Sequence, residues 1–138
     1  MSLIRMKRWH TALELFLAAA LIAAVITLFF IFTEDARAKG RDSARMAGLS
    51  EIAKALALYY SGSVGYPISK ERLVLSGTDP VSFKLVEKKN IPAMPTDPRS
   101  PLFNYAYRSD GKSYELSFCL ETESIKGYRK GCENILVP

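Results

Sequence analysis

The feature that most constrains this chain is an apolar stretch near its N-terminus that contains a single acidic residue. Residues 11–33 read TALELFLAAALIAAVITLFFIFT, and Glu14 is the one charged residue among them. From Leu15 to Phe32 the chain has 18 uncharged residues. As an α-helix these residues span about 27 Å, close to the thickness of a bilayer's hydrocarbon core. The stretch predicts a transmembrane helix over residues 10–33, and an acid inside it needs an explanation.

Charges on either side of this helix predict its orientation. Three basic residues lie within residues 1–9, whereas Glu34 and Asp35 follow the apolar stretch. Because basic flanks are retained in the cytoplasm, residues 1–9 are expected to form a short leader or cytoplasmic stub. The rest of the chain is expected to lie outside the cytoplasm.

A cleaved secretory signal peptide is the alternative interpretation of the N-terminus. Ala36-Arg37-Ala38 loosely resembles a signal cleavage site. However, the apolar region of a signal peptide is typically only about 7 to 15 residues long. A retained membrane anchor fits the longer stretch better.

The helical pattern continues beyond the membrane segment. Residues 34–60 contain apolar side chains at a spacing of three and four, which predicts an amphipathic helix. This stripe consists of Met46, Leu49, Ile52, Ala53, Leu56, Tyr59 and Tyr60. The predicted polar side carries Arg37, Lys39, Arg41, Arg45, Glu51 and Lys54. No proline interrupts the two segments, so one continuous helix is expected to end at the glycine and serine residues after Tyr60.

Residues 61–138 are predicted to form a small extracytoplasmic β-rich region. Phe103, Tyr105 and Tyr107 alternate with smaller or polar residues, a turn follows at 109–112, and alternation resumes over 114–120. This pattern predicts an antiparallel hairpin with one apolar face. A helical turn is expected near residues 82–88 and a short final strand at 135–137. The predicted fold is α+β, with the long N-terminal helix packed on a small antiparallel sheet.

Two cysteines, Cys119 and Cys132, lie in the region expected outside the cytoplasm. The chain has no C-x-x-C motif, and an oxidising compartment favours a disulfide between them. Two buried free thiols are the alternative. A bridge would close a loop of about 14 residues, which the chain-entropy estimate values at about 3 kcal/mol.

Enzymatic chemistry finds little support in the sequence. The single histidine is His10, so no Ser-His or Cys-His pair is expected outside the membrane, and neither an enzyme nor a cofactor is predicted. Calcium binding stays open because oxygen ligands are present at Asp97, Asn104, Asp110, Glu121, Glu123 and Asn134, although without EF-hand spacing.

The net charge of +5 is weak support for a nucleic-acid partner, because three of the positive charges lie in the N-terminal stub. A basic cluster at Lys126, Arg129 and Lys130 is most simply interpreted as a solvated loop. No specific nucleic-acid partner is therefore predicted.

The N-terminal residues resemble the type IV pilin and type II secretion pseudopilin family. Thr11-Ala12-Leu13-Glu14-Leu15 is similar to the segment after that family's cleavage site. Further similarities are RDSAR at 41–45, YYSGSVGYP at 59–67, and PTDP at 95–98 followed by Tyr105-Ala106-Tyr107. The resemblance covers nearly the whole chain and is most specific in its N-terminal half.

The resemblance implies a structural filament subunit and assigns Glu14 to assembly. In the family this acid pairs with the N-terminal amine of a neighbouring subunit. The implied partners are copies of the chain or related pilins in a helical filament, a prepilin peptidase, an inner-membrane assembly platform and membrane lipid. The implied location is the cell membrane, followed by an extracellular filament after assembly.

The expected processing junction is Trp9, His10 and Thr11. The family's leader ends in glycine and the mature chain often begins with phenylalanine, whereas here Trp9 and His10 hold these places. Cleavage of the leader therefore stays open. The alternative function is a membrane-anchored extracytoplasmic binding domain that does not polymerise.

Overall fold

A computed structural model describes the backbone of residues 2–138 and the side chains of residues 12–138. The chain divides into two compact units, Met1–Arg37 and Ala38–Pro138. Helix α1 spans Ser2–Ser61, so its N-terminal part belongs to the first unit and its C-terminal part to the second. It ends at Ser61, where Gly62 and Ser63 follow and the consecutive residues of low helix propensity favour a turn.

The second unit contains α1's C-terminal part, four strands and one short helix. The strands are β1 (Ser69–Val74), β2 (Ala106–Ser109), β3 (Tyr114–Leu120) and β4 (Gly131–Leu136). They form one sheet in the order β1-β2-β3-β4, and every neighbouring pair is antiparallel. The α+β arrangement predicted from the sequence, a long helix packed on a small antiparallel sheet, is confirmed.

The core lies between the helix and one face of the sheet. Leu49, Ile52 and Leu56 of α1 are buried in one hydrophobic cluster with strand residues Tyr107 and Leu116. Alternation places Tyr114, Leu116, Phe118 and Leu120 on the inner face of β3. Burial of apolar area at about 25 cal/mol per Å² makes this contact the main stabilising term of the second unit.

The hairpin of β2 and β3 is confirmed, but β2 begins three residues later than the predicted start at Phe103. Phe103 lies outside the strand, and its ring packs against the guanidinium of Arg45, 5.0 Å from its Cζ. This packing removes Phe103 from the alternating pattern. The final strand was predicted at 135–137, whereas β4 spans Gly131–Leu136, so it begins earlier, includes Cys132 and ends before Val137.

Helix α2 spans Pro80–Glu87, two residues earlier than the helical turn predicted at 82–88. Asp79 caps it: its Oδ1 accepts hydrogen bonds from the backbone N–H groups of Val81 and Ser82, at 3.1 and 2.9 Å. Proline at the first helical position suits this start, since its missing N–H would be unpaired there anyway.

Strand β1, which the sequence did not predict, lies at the edge of the sheet and lacks apolar alternation because most of its residues are exposed.

Two glycines allow other parts of the second unit to approach their backbone closely. Gly48 lies on α1, where a Cβ would be 3.1 Å from the Tyr105 hydroxyl. Gly65 has φ +154°, and a Cβ there would be 2.6 Å from the carbonyl oxygen of Gly111. Because the neighbouring Tyr66 N–H donates to that same carbonyl at 2.8 Å, the loop after α1 is held tightly against the turn between β2 and β3.

The prediction that Arg45 lies on the polar side of the helix is wrong. Arg45 and Asp42 are fully buried. The Arg45 Nε and Nη2 atoms donate to the two Asp97 oxygens, at 2.8 and 3.2 Å, and Nη1 donates to Asp42 at 2.6 Å. The Arg45 Nη2 atom also lies 2.8 Å from a Glu121 oxygen. Burial is possible because the guanidinium's donors find acceptors from three parts of the chain.

Glu121 extends this network towards the surface. Its carboxylate accepts hydrogen bonds from Arg41 at 2.8 and 2.6 Å, and from Arg99 at 3.1 Å. Hydrogen bonds from Arg41, followed by those from Arg45 and Arg99, outweigh burial and lower the Glu121 pKa to about 2. Three arginines and three carboxylates thus form one neutral network. It joins α1, the loop at 97–99 and the residue after β3.

Replacing Arg45 with methionine is expected to destabilise the chain by about 3–5 kcal/mol. The substitution leaves the carboxylates of Asp42 and Asp97 buried without their cation, and an unpaired buried charge is costly. Urea denaturation of the full chain in detergent measures the change. Lys54→Met on the exposed face of the same helix is the matched control and should change stability by less than about 0.5 kcal/mol. A similar, small loss for both variants would contradict the stabilising role of the network.

The lowered pKa of Glu121 predicts a stability loss in acid. The folded pKa is about 2 and the ordinary value is 4.5, so the ionised form stabilises the fold above pH 4.5. That contribution is lost as the pH falls from 4.5 towards 2, because over this range the unfolded chain binds a proton at Glu121 more readily than the folded chain does. Glu121→Gln does not titrate and should show a smaller slope of stability against pH over this window. Equal slopes for the two proteins, measured by denaturant titration, would show that another group is responsible.

Candidate functional site

The first unit exposes an apolar helix surface on all sides. Residues 12–32 are exposed, and the large apolar side chains include Leu13 at 49% and Leu15 at 72% exposure. An 18-residue window of this helix has a mean hydropathy of 2.9, and none of it is buried. By length and composition the helix can cross a membrane. Such a surface is stable only when lipid or other helices cover it.

The hydroxyl groups of Thr27 and Thr33 in this segment are satisfied by the helix itself. The Thr27 hydroxyl donates to the Ala23 carbonyl at 2.8 Å, and the Thr33 hydroxyl donates to the Phe30 carbonyl at 3.0 Å. Backbone and hydroxyl groups therefore need no external partner in a hydrocarbon environment.

Glu14 differs from Glu34, the acid that follows the apolar segment. Its side chain is exposed, and within the described side chains no hydrogen bond or ion pair reaches its carboxylate. In contrast, Glu34 accepts a hydrogen bond from Arg37 at 2.9 Å. A carboxylate at the head of an apolar helix is unfavourable in a bilayer unless it reaches the interface or meets a cation.

The side chains of Trp9, His10 and Thr11 lie outside the described residues. The predicted processing junction and a local contact between His10 and Glu14 therefore stay predictions. Small residues that can allow close helix packing are exposed along the described part of the segment: Ala18, Ala19, Ala20, Ala23 and Ala24.

In the second unit, the predicted disulfide between Cys119 and Cys132 is present. It joins β3 to β4 on the face of the sheet away from the core. The chain-entropy estimate of about 3 kcal/mol applies to the loop that it closes.

Side-chain hydrogen bonds hold the disulfide loop at both ends. At its start, the buried Asp42 carboxylate accepts hydrogen bonds from the Glu121 N–H at 3.0 Å and from the Thr122 N–H and hydroxyl at 2.8 and 2.7 Å. Burial alone would raise the Asp42 pKa, but these hydrogen bonds outweigh it and lower the pKa. At the loop's end, Asn134 donates to the Arg129 and Gly131 carbonyls at 2.8 and 3.0 Å and accepts from the Arg129 N–H at 3.0 Å.

Several candidate calcium ligands are engaged by other groups of the chain. Asp97 and Glu121 are bound to Arg45, and Asp110 accepts hydrogen bonds from the N–H groups of Lys112 and Ser113. Among the described residues, no group of three or more histidine, cysteine, aspartate or glutamate side chains is placed to hold a metal ion.

Two buried tyrosines of the second unit have a raised pKa. Burial raises the pKa of Tyr107 to about 12, and its hydroxyl donates to the Pro67 carbonyl at 2.8 Å. Burial, reinforced by the negative charge of Asp97, raises the pKa of Tyr105 to about 12.

The basic cluster at Lys126, Arg129 and Lys130 is exposed.

The sequence analysis does not predict the buried network of Arg45, Asp42 and Asp97, although the stretches Arg41–Arg45 and Pro95–Pro98 both contribute to the family resemblance. A usable signal was present. Residues 42, 45, 49, 52 and 56 follow the same three-and-four spacing, so extending the apolar stripe towards the N-terminus predicts burial at 42 and 45. Oppositely charged residues three apart in a buried stripe indicate an internal ion pair.

Asn134→Asp is expected to loosen the disulfide loop. The substitution removes the two amide donors and places a carboxylate against two carbonyl oxygens, at a cost of about 1–3 kcal/mol. Hydrogen exchange of the full chain should show faster exchange of the 121–131 amides with little change in α1. Asn104→Asp is the control, because the Asn104 amide donates to an exposed carbonyl, that of Pro101. Unchanged exchange in the loop of the Asn134 variant would contradict this role.

Comparison of this chain with known protein families, with curated proteins and with solved structures finds no match.

Proposed function

We propose that this chain is a structural subunit of a type IV pilus or a pseudopilus-like filament, assembled through its apolar N-terminal helix. The observation that carries the proposal is the exposed apolar surface of residues 12–32, which has a single carboxylate, Glu14, near its start. The α+β unit with a long helix on a small sheet agrees with this function. So does the resemblance of the N-terminal sequence.

In this mechanism the helices leave the bilayer and pack side by side in the filament core. Burial against copies of the same helix replaces lipid contact, and the exposed alanines allow close approach. The association is heterologous, so it need not close and produces a helical array of subunits.

Glu14 selects the axial register in this assembly. Within an apolar bundle its carboxylate is favourable only when a cation lies beside it. A neighbouring N-terminal amine is the partner that the family resemblance implies, and cleavage before His10 would create that amine. The basic stub places the N-terminus in the cytoplasm and the second unit outside it. Copies of the chain, a prepilin peptidase and an inner-membrane assembly platform are the proposed partners.

A membrane-anchored binding domain that does not polymerise is the second candidate. Trp9, which holds the place of the family's glycine, favours it, because an uncleaved chain has no amine at His10. Mass spectrometry of the mature N-terminus distinguishes the two. A start at His10, and above all a methylated one, supports the filament subunit, whereas retention of Met1 supports the anchor.

Glu14→Ala is expected to abolish filaments and leave a folded, disulfide-bonded second unit. Without the carboxylate the register-setting ion pair cannot form, whereas the second unit contains no contact that depends on it. Electron microscopy of sheared cells and sedimentation of the sheared fraction measure assembly. Glu14→Gln, which keeps the shape but not the charge, is also expected to fail.

Glu34→Ala is the matched control on the same helix and should leave assembly intact, because Glu34 is paired locally with Arg37. Filaments from the Glu14→Ala protein in normal amount would refute the proposed role of Glu14. In that case the anchored binding domain becomes the better interpretation.

A further inference from the structure

The outer face of the sheet, the face turned away from α1, has a pattern that is complementary to itself. One row across the four strands consists of paired residues Val74, Ala106, Ser117 and Ile135. The two end residues are apolar and 48% exposed, and the two central residues are small. The row therefore has the same order, apolar, small, small, apolar, when it is followed from either end.

A second row of this face carries opposite charges that are not used inside the fold. Arg108 of β2 lies directly opposite Glu115 of β3, and both are exposed. Among the described residues, no hydrogen bond or ion pair involves either side chain. The arginines of the buried network, in contrast, all bind carboxylates. Arg108 and Glu115 are thus available to groups outside the chain.

These charges border a groove of about 410 Å³. Its charged lining residues are Lys70, Glu71, Arg72, Arg108 and Glu115, and Ile135 and the 7% exposed Ser117 also line it. Because three basic and two acidic groups line the groove, a uniformly acidic or uniformly basic partner would meet a like charge here. A partner with the same mixed pattern would not.

We propose that the outer sheet face binds the outer sheet face of a second copy of this chain. A two-fold axis parallel to the strands, midway between β2 and β3, places β2 over the partner's β3 and β1 over the partner's β4. Positions along the strands are unchanged by this rotation. Each Arg108 then faces a Glu115, each Val74 faces an Ile135, and each Ala106 faces a Ser117.

This contact is isologous, so it pairs two copies and closes. It is distinct from the open, heterologous packing of the apolar helices and does not depend on it. Four strands about 4.8 Å apart give a small face, which places the contact among weak, transient interfaces. Tethering in a membrane raises the local concentration and favours such a contact.

Charge reversal with mixing tests the proposal on the full chain. Donor- and acceptor-labelled copies are placed in lipid vesicles, and energy transfer between them measures association. In a pair of Arg108→Glu chains, an acid at position 108 faces the acid Glu115 at both contacts. In a pair of Glu115→Arg chains, a base at position 115 faces the base Arg108 at both contacts. Each variant is expected to associate about tenfold more weakly than the wild-type chain, because both charge pairs become repulsive. An equimolar mixture of the two variants restores both pairs and should recover wild-type association within about twofold.

The same series in a Glu14→Ala background separates this contact from helix packing. Energy transfer that survives Glu14→Ala and follows the charge series supports the sheet contact. Lys54→Glu, an exposed reversal on α1, is the control and should associate like the wild type. Melting curves confirm that each variant is folded. Single reversals that associate normally, or a mixture that stays as weak as its folded components, would overturn the proposal.

Discussion

A guanidinium can be buried in a small domain only when carboxylates and other acceptors surround it, and this requirement organises the second unit. Arg45 of α1 meets Asp42 of its own helix, Asp97 from the loop before β2, and Glu121 after β3. The acceptors come from segments far apart in sequence. Helix, loop and sheet must therefore all be in place for any of these charges to be compensated. The network thereby links the apolar core to the start of the disulfide loop, since Asp42 also binds Thr122.

The two units meet opposite physical requirements. The second unit satisfies its buried charges internally and fastens its disulfide loop with Asp42 and Asn134. The first unit leaves its apolar residues exposed and its one membrane-segment acid without a partner among the described side chains. This division suits the proposed filament subunit. The second unit needs no partner to compensate its buried charges, whereas the apolar helix needs other helices or lipid to cover it. The proposed sheet contact would add a second, weaker association between second units.

Several elements were predictable because they depend on local patterns. The long helix, the β2–β3 hairpin and the disulfide follow from spacing, alternation and cysteine count. Two errors involve one contact. Arg45 was assigned to the polar side and Phe103 to a strand, whereas the two side chains pack together as a cation over an aromatic ring, 58 positions apart in the sequence. Helical spacing indicates burial of residue 45, but no local pattern reveals its aromatic partner. Strand β1 was missed because a strand with exposed residues on both faces lacks alternation. For the candidate site, the sequence identified Glu14 and its apolar helix directly, whereas the described side chains do not extend to the predicted processing junction.

The amino-acid sequence by itself determined that the chain carries an apolar helix long enough to cross a membrane, with one acid near its start. That property depends only on the order of residues along one helix. Tertiary structure alone decided which groups compensate the buried charges, how the disulfide loop is fastened, and which side chains share the outer sheet face. These depend on strand register and on contacts between distant segments. A register shift of one residue would move Arg108 and Glu115 from the outer face to the core.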